Sequence, residues 1–291
     1  MGMPKDIGIV DLMLSLPITN PEKTYAFLKK NVHDEASKQE FSFPAEYMFK
    51  SVPHGWGKGG NVDPVAITLK EMDYWGIERA SMSVVSEETR RAVTQHPDRF
   101  FPVAQVDPNR AMEGVRDLVR DYETFGVKAA NCFPAGLIPQ VDIGDKRFYP
   151  LYAKCIELDI AMFLNVGVPG PRVPMHCQHV EHLDEVCWFF PDLRLVTFHG
   201  CEPWEELAVK LMLKWPNLYY ATSAFAPKYY PDAIIQYANT RGADKILYAG
   251  YFPMGLSLER IMTEMRDVPF RDKVWQPFLR DNALRVLKLD D

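Results

Sequence analysis

The chain has 291 residues, 47% apolar and 25% charged, an ordinary globular composition with enough length to bury a large core. A net charge of -6 without any block of lysine and arginine excludes the electrostatic footprint of a nucleic-acid or anionic-membrane binder. The expected partner is a small molecule or a second copy of the chain.

The start, MGMPKDIGIV, has no apolar signal region, and no segment reaches 18 uninterrupted apolar residues, so neither secretion nor a membrane span is expected. The five cysteines (Cys132, Cys155, Cys177, Cys187 and Cys201) are odd in number and lack Cys-x-x-Cys spacing. They read as reduced thiols of a cytoplasmic protein.

Short apolar runs alternate with helix-length amphipathic segments. Strands are predicted over residues 7–13, 79–85, 101–107, 126–132, 161–167, 193–200, 218–223 and 245–250. Strands that are nearly continuously apolar and separated by single helices imply a parallel sheet covered on both faces. Eight such units predict an α/β fold of (β/α)8 TIM-barrel type, as one domain spanning residues 1–291.

In chain order, Asp11 falls inside the first apolar strand, where an ionised carboxylate needs a partner. It is a candidate for catalysis or for barrel structure. Residues 14–62 then form a long insertion ending in HGWGKGG, placed by barrel topology over the C-terminal face. This tip lacks the spacing of a phosphate-binding loop and reads as a lid, with His54, Trp56 and Lys58 as candidate substrate contacts. Asp63 and the proline after it predict a helix start.

Asn131 closes the fourth strand and Asn165 the fifth, where an amide is able to donate to a substrate oxyanion or carboxylate. The run MHCQHVEH carries His176, His179 and His182. On one continuous helix each step of three turns about 300°, so the outer two diverge by about 120° and no metal site is expected there. His199 closes the sixth strand in HGCEPW and is a candidate general acid or base, with an expected pKa near the ordinary value of about 6.5. Glu202 is read either as a catalytic carboxyl or as a helix-start carboxylate favoured by the dipole. Trp204 and the tyrosines of PKYYP are candidate pocket walls. The last strand ends in KILYAGYFPMG, presenting Tyr251.

The runs FPDLRLVTFHGCEPWEELAVKLMLKWPNLYYATS, GADKILYAGYFP and DNALRVLKLD, with HPDRFFPVAQVDP upstream, resemble the amidohydrolase-related family that includes the aminocarboxymuconate semialdehyde decarboxylase type of enzyme. The resemblance implies a barrel holding a divalent metal, often zinc, through His-x-His on the first strand, histidines ending the fifth and sixth, and an aspartate ending the eighth. At those places this chain has Met13, Ser15, Asn165, His199 and Tyr251. Only His199 matches, and zinc takes Cys, His and carboxylate ligands, usually at least three from the protein.

The expected function is therefore a metal-independent, amidohydrolase-like hydrolase or carboxy-lyase acting on a small carboxylated or cyclic organic molecule. His199 would be acid or base, Tyr251 and Asn165 would polarise the substrate, and no cofactor is expected. Two alternatives remain open: a non-catalytic binding or scaffold protein on the same barrel, and a zinc enzyme with unexpected ligands such as His199, His54 and Glu202. The resemblance also implies a homodimer.

Overall fold

The computed structural model describes residues 2–17, 26–39 and 63–290. Eight strands pair in chain order, each parallel to the next: β1 (Ile9–Asp11), β2 (Ile77–Ser83), β3 (Phe100–Gln105), β4 (Ala129–Cys132), β5 (Ala161–Asn165), β6 (Leu195–Phe198), β7 (Leu218–Ala221) and β8 (Ile246–Leu247). The ring closes where the Leu12 N–H donates to Tyr248 O (3.3 Å) and the Ser15 N–H to Phe252 O (2.9 Å). The molecule is a (β/α)8 barrel of TIM type.

Two apolar layers explain why the strands are hydrophobic on both faces. Val10, Phe101, Ala129, Phe163, Val196 and Leu247 pack inside the barrel, and Phe163 meets Phe198 with ring centroids 4.8 Å apart. Alternate residues, among them Met82, Ala130, Leu164, Leu195 and Tyr220, join the larger outer core under the helices. Period-two alternation makes this division.

The helices are α1 (Ala26–Asn31), α2 (Glu35–Gln39), α3 (Pro64–Trp75), α4 (Glu87–Gln95), α5 (Ala111–Phe125), α6 (Tyr149–Glu157), α7 (His182–Phe189), α8 (Glu205–Lys214), α9 (Asp232–Thr240), α10 (Leu258–Met265), α11 (Asp272–Gln276) and α12 (Asn282–Leu287). The predicted start of α3 is present: the Val65 N–H donates to the Asp63 carboxylate (3.1 Å), Pro64 opens the helix, and Gly76 ends it at φ 72°. Ser86 caps α4 in a reciprocal box with Thr89.

The described part of the insertion lies against the loops at the C-terminal ends of β4 and β5. Asn31 donates to Gly136 O (3.0 Å), and Asp34 pairs with Arg172 (2.7 Å). His54, Trp56 and Lys58 lie outside the described residues. All five cysteines are buried and unpaired. Among the described residues no helix is long and apolar enough to cross a membrane.

Candidate active site

The seam between β1 and β8 is set by Asp11. Its Oδ1 accepts from the N–H groups of Met13 (2.9 Å) and Gly250 (2.8 Å), tying the two strand ends together. Its neighbours Val10 and Leu12 belong to the inner core, whereas Tyr248 beside it belongs to the outer one. Asp11 therefore stands behind the barrel wall, not in the lumen. Oδ2 and the Tyr248 hydroxyl have no partner of normal hydrogen-bond geometry, yet both crowd Gly250, where a Cβ would meet them at 2.7 and 3.0 Å. Burial pushes the Asp11 carboxyl up to about 6, while the two backbone donors and the nearby Tyr248 hydroxyl pull it down.

His199 follows β6 in a tight turn through residues 199 to 201, all left-handed: φ is 68° at His199, 83° at Gly200 and 57° at Cys201. Such backbone is unfavourable for histidine and cysteine and gathers at functional sites. Gly200 is required, because a Cβ there would lie 2.5 Å from the Phe225 ring.

Ser223, just beyond β7, fixes the imidazole. Its buried Oγ accepts from the His199 backbone N–H (2.9 Å) and lies 3.2 Å from Nδ1. Accepting from the backbone N–H, the hydroxyl is free to give its own proton to Nδ1 of a neutral ring protonated on Nε2. The Tyr251 ring meets the His199 ring edge-on, with centroids 5.4 Å apart. The expected pKa near 6.5 is corrected here: burial pushes the imidazolium down to about 4, so the resting ring is neutral at pH 7.

Three more polar side chains share the lumen parity. Asn165 closes β5, 6% exposed, with its amide uncommitted among the described residues. Asn131 donates to Gln105 Oε1 (2.9 Å), so its amide is already engaged. Ser83 shares its face of β2 with Ser81, which donates to Leu12 O (2.7 Å), and its own buried Oγ has no partner among the described residues. Ser83 was not singled out by the sequence reading, and Ser223 only as the close of a strand. The alternation in RASMSVV and a serine ending the strand next to His199 were the available signals.

Glu202 does not begin a helix: α8 starts at Glu205, after a cis Glu202–Pro203 peptide. Burial first, and Glu205 second, raise the Glu202 carboxyl. Its backbone lies so close to Gly167 that a Cβ there would meet Glu202 N and O at 2.9 Å. Trp204 packs against His179 with the rings tilted by 54° and centroids 4.0 Å apart, and so helps join the loops that follow β5 and β6.

Met13, Ser15, Asn165, His199 and Tyr251 offer one imidazole and no carboxylate. This donor set does not fit zinc, whose protein ligands are Cys, His and carboxylate.

Polar side chains gathered at the C-terminal ends of parallel barrel strands lie where barrels of this type bind small molecules. The sequence model of the amidohydrolase family matches residues 62–289, and the chain belongs to that family. Solved structures share the fold. An uncharacterized TIM-barrel protein from Bordetella bronchiseptica is 22% identical, with 97% of this chain and 99% of that chain covered and a TM-score of 0.72. A 2,6-dihydroxybenzoate decarboxylase from Rhizobium is 17% identical, covering 98% and 100%, at 0.65. A dihydroxybenzoic acid decarboxylase from Polaromonas sp. JS666, with bound manganese and the inhibitor 2-nitroresorcinol, is 16% identical, covering 98% and 98%, at 0.63. No curated protein matches the chain in sequence.

Proposed function

We propose that the chain is a carboxy-lyase of the amidohydrolase family that acts on a small carboxylated, ring-bearing molecule, with proton transfer by His199 and no metal at the barrel mouth. The observation carrying this reading is the neutral imidazole, oriented by Ser223 and placed against Tyr251. An imidazole held near pKa 4 by burial is empty of its second proton at rest. A substrate carboxylate beside it favours the charged ring, so anion and proton enter the site together.

When the carbon–carbon bond to the carboxylate breaks, carbon dioxide leaves and the electron pair stays on the ring carbon. That pair takes the imidazolium proton, and His199 returns to its neutral form. The Tyr251 phenol and the Asn165 amide supply hydrogen-bond donors where negative charge develops, each donor of this kind being worth roughly 10²- to 10³-fold in rate. Asp11 acts at one remove, by fixing the strand ends that carry Met13 and Tyr251. Hydrolysis of a small carboxylated substrate would use the same groups, with His199 as base.

A second reading, a metal-dependent decarboxylase, is favoured by the manganese in the Polaromonas structure. Nitrogen NMR of the histidines tests the first. Addition of hydroxybenzoate-class ligands is expected to protonate His199 at a pH where the free ring is neutral, and His199→Gln is expected to abolish carbon dioxide release by at least about 100-fold. A ring that stays neutral with ligand bound, or turnover that survives His199→Gln, contradicts the proposal. Ligand binding without turnover across a broad carboxylate set favours a binding protein instead.

A further inference from the structure

Away from the barrel mouth, the run MHCQHVEH does what a continuous helix would not allow. Its residues split into a 3-10 turn (His176–Gln178), an extended residue at His179 (ψ 134°), and then α7 beginning at His182. The break swings the outer two histidines towards each other. Their rings meet edge-on with centroids 5.2 Å apart, and His182 Nε2 lies 3.0 Å from the His176 carbonyl oxygen.

The loop between β4 and α6 brings Asp142 to the same spot. One ring nitrogen of each histidine and one Asp142 oxygen lie within 4.8 Å of one another, and His176 Nε2 is 3.8 Å from Asp142 Oδ2. Ligand atoms around a tetrahedral zinc at 2.0–2.1 Å are about 3.3 Å apart, so at most roughly 1.5 Å of approach between side chains closes the set. The histidine best able to move is His176, whose side chain is 77% exposed.

The backbone beneath is already fixed. The Ile143 N–H donates to Cys177 O (3.1 Å), Gln140 Nε2 bridges Ala135 O and Pro174 O (3.0 Å each), and buried Gln178 bridges the Ala135 N–H and Gly167 O. Alongside lies an open cleft of about 740 Å³ whose lining includes Asp142, Asp145, Glu181, His182 and Glu185. Its excess of carboxylates favours a cation.

The geometry points to a surface site for a zinc-class divalent ion at Asp142, His176 and His182, two imidazoles and a carboxylate with a position left for water. An ion there clamps the β4–α6 loop to the β5–α7 loop on the rim of the barrel. His179, between the two histidine ligands, carries that constraint through Trp204 towards the loop after β6. The ion is a rim fastener, distinct from the groups at His199.

The test uses full-length protein without a histidine tag, stripped with EDTA and titrated calorimetrically with zinc sulfate, with thermal unfolding followed in parallel. One equivalent is expected to bind and to raise the melting temperature. The double variant His176→Ala/His182→Ala is expected to lose both effects, with affinity down at least tenfold, and Asp142→Asn to weaken binding. His199→Ala is expected to keep both. Zinc uptake unchanged in the double variant overturns the proposal, as does loss of uptake in His199→Ala, or no uptake by the wild-type chain.

Discussion

His199 combines three local features: a left-handed backbone, a serine hydroxyl at Nδ1, and an aromatic ring at its edge. If Ser223 fixes the proton on Nε2, Ser223→Ala lets the ring tautomers mix. Nitrogen NMR is expected to report that mixing directly, and kcat to fall about tenfold with KM little changed. An unaltered tautomer signal in the variant would remove Ser223 from the account. Asp11 makes a different prediction, about stability. Its folded pKa of about 6 lies above the ordinary 3.8, so the folded state holds more protons than the unfolded chain between those values. Its contribution is present at acid pH and is lost as pH rises through 6. His199 has the opposite sign: with its folded pKa near 4, below 6.5, it contributes above 6.5 and is lost as pH falls towards 4. The two therefore oppose each other in one window. Asp11→Asn, which keeps an oxygen acceptor and removes the buried charge, is expected to gain up to about 3 kcal/mol on wild type between pH 4 and 7. Denaturant unfolding at several pH values measures this, and parallel curves for the two proteins would contradict it.

At the scale of elements, the apolar runs located all eight strands, because a strand buried on both faces leaves a nearly continuous signature. Except at β4, which ends at Cys132 as predicted, their C-terminal limits lie inward of the prediction, since the last residues of those runs turn away to build the rim: Asp107 after β3, His199 and Gly200 after β6. Side-chain facing was legible where alternation persisted, as at Asn165, and illegible where the backbone broke it. The turn held by Asp11 and Met13, the positive φ at His199 and the kink at His179 are three such breaks. The β1–β8 seam also carries a packing prediction. Gly250→Ala drives a methyl against the buried Asp11 Oδ2 and Tyr248 hydroxyl, at 2.7 and 3.0 Å. The expected loss is about 1–3 kcal/mol, read from the urea midpoint, together with reduced activity as Tyr251 shifts. A neutral substitution would mean the seam does not hold the strand ends.

Across the whole molecule, fold and family were legible because barrel periodicity and the runs around HGCEPW and KILYAGYFP are carried by local sequence. The site was legible in part. The positions of His199, Asn165 and Tyr251 at strand ends could be read from the runs, whereas the partnership of His199 with Ser223 depends on two strands meeting side by side, which spacing along the chain does not encode. The family membership of the chain and the decarboxylases that share its fold fit an enzyme for carboxylated small molecules. On the proposed function, such chemistry runs on an imidazole and a phenol. The most direct measurement is carbon dioxide release from hydroxybenzoate-class acids by protein stripped with EDTA, with its metal content determined on the same sample. Turnover is predicted to persist with far less than one transition metal per chain, and to be lost in Tyr251→Phe/His199→Gln. Activity that vanishes on stripping and returns only with manganese or zinc would contradict the account.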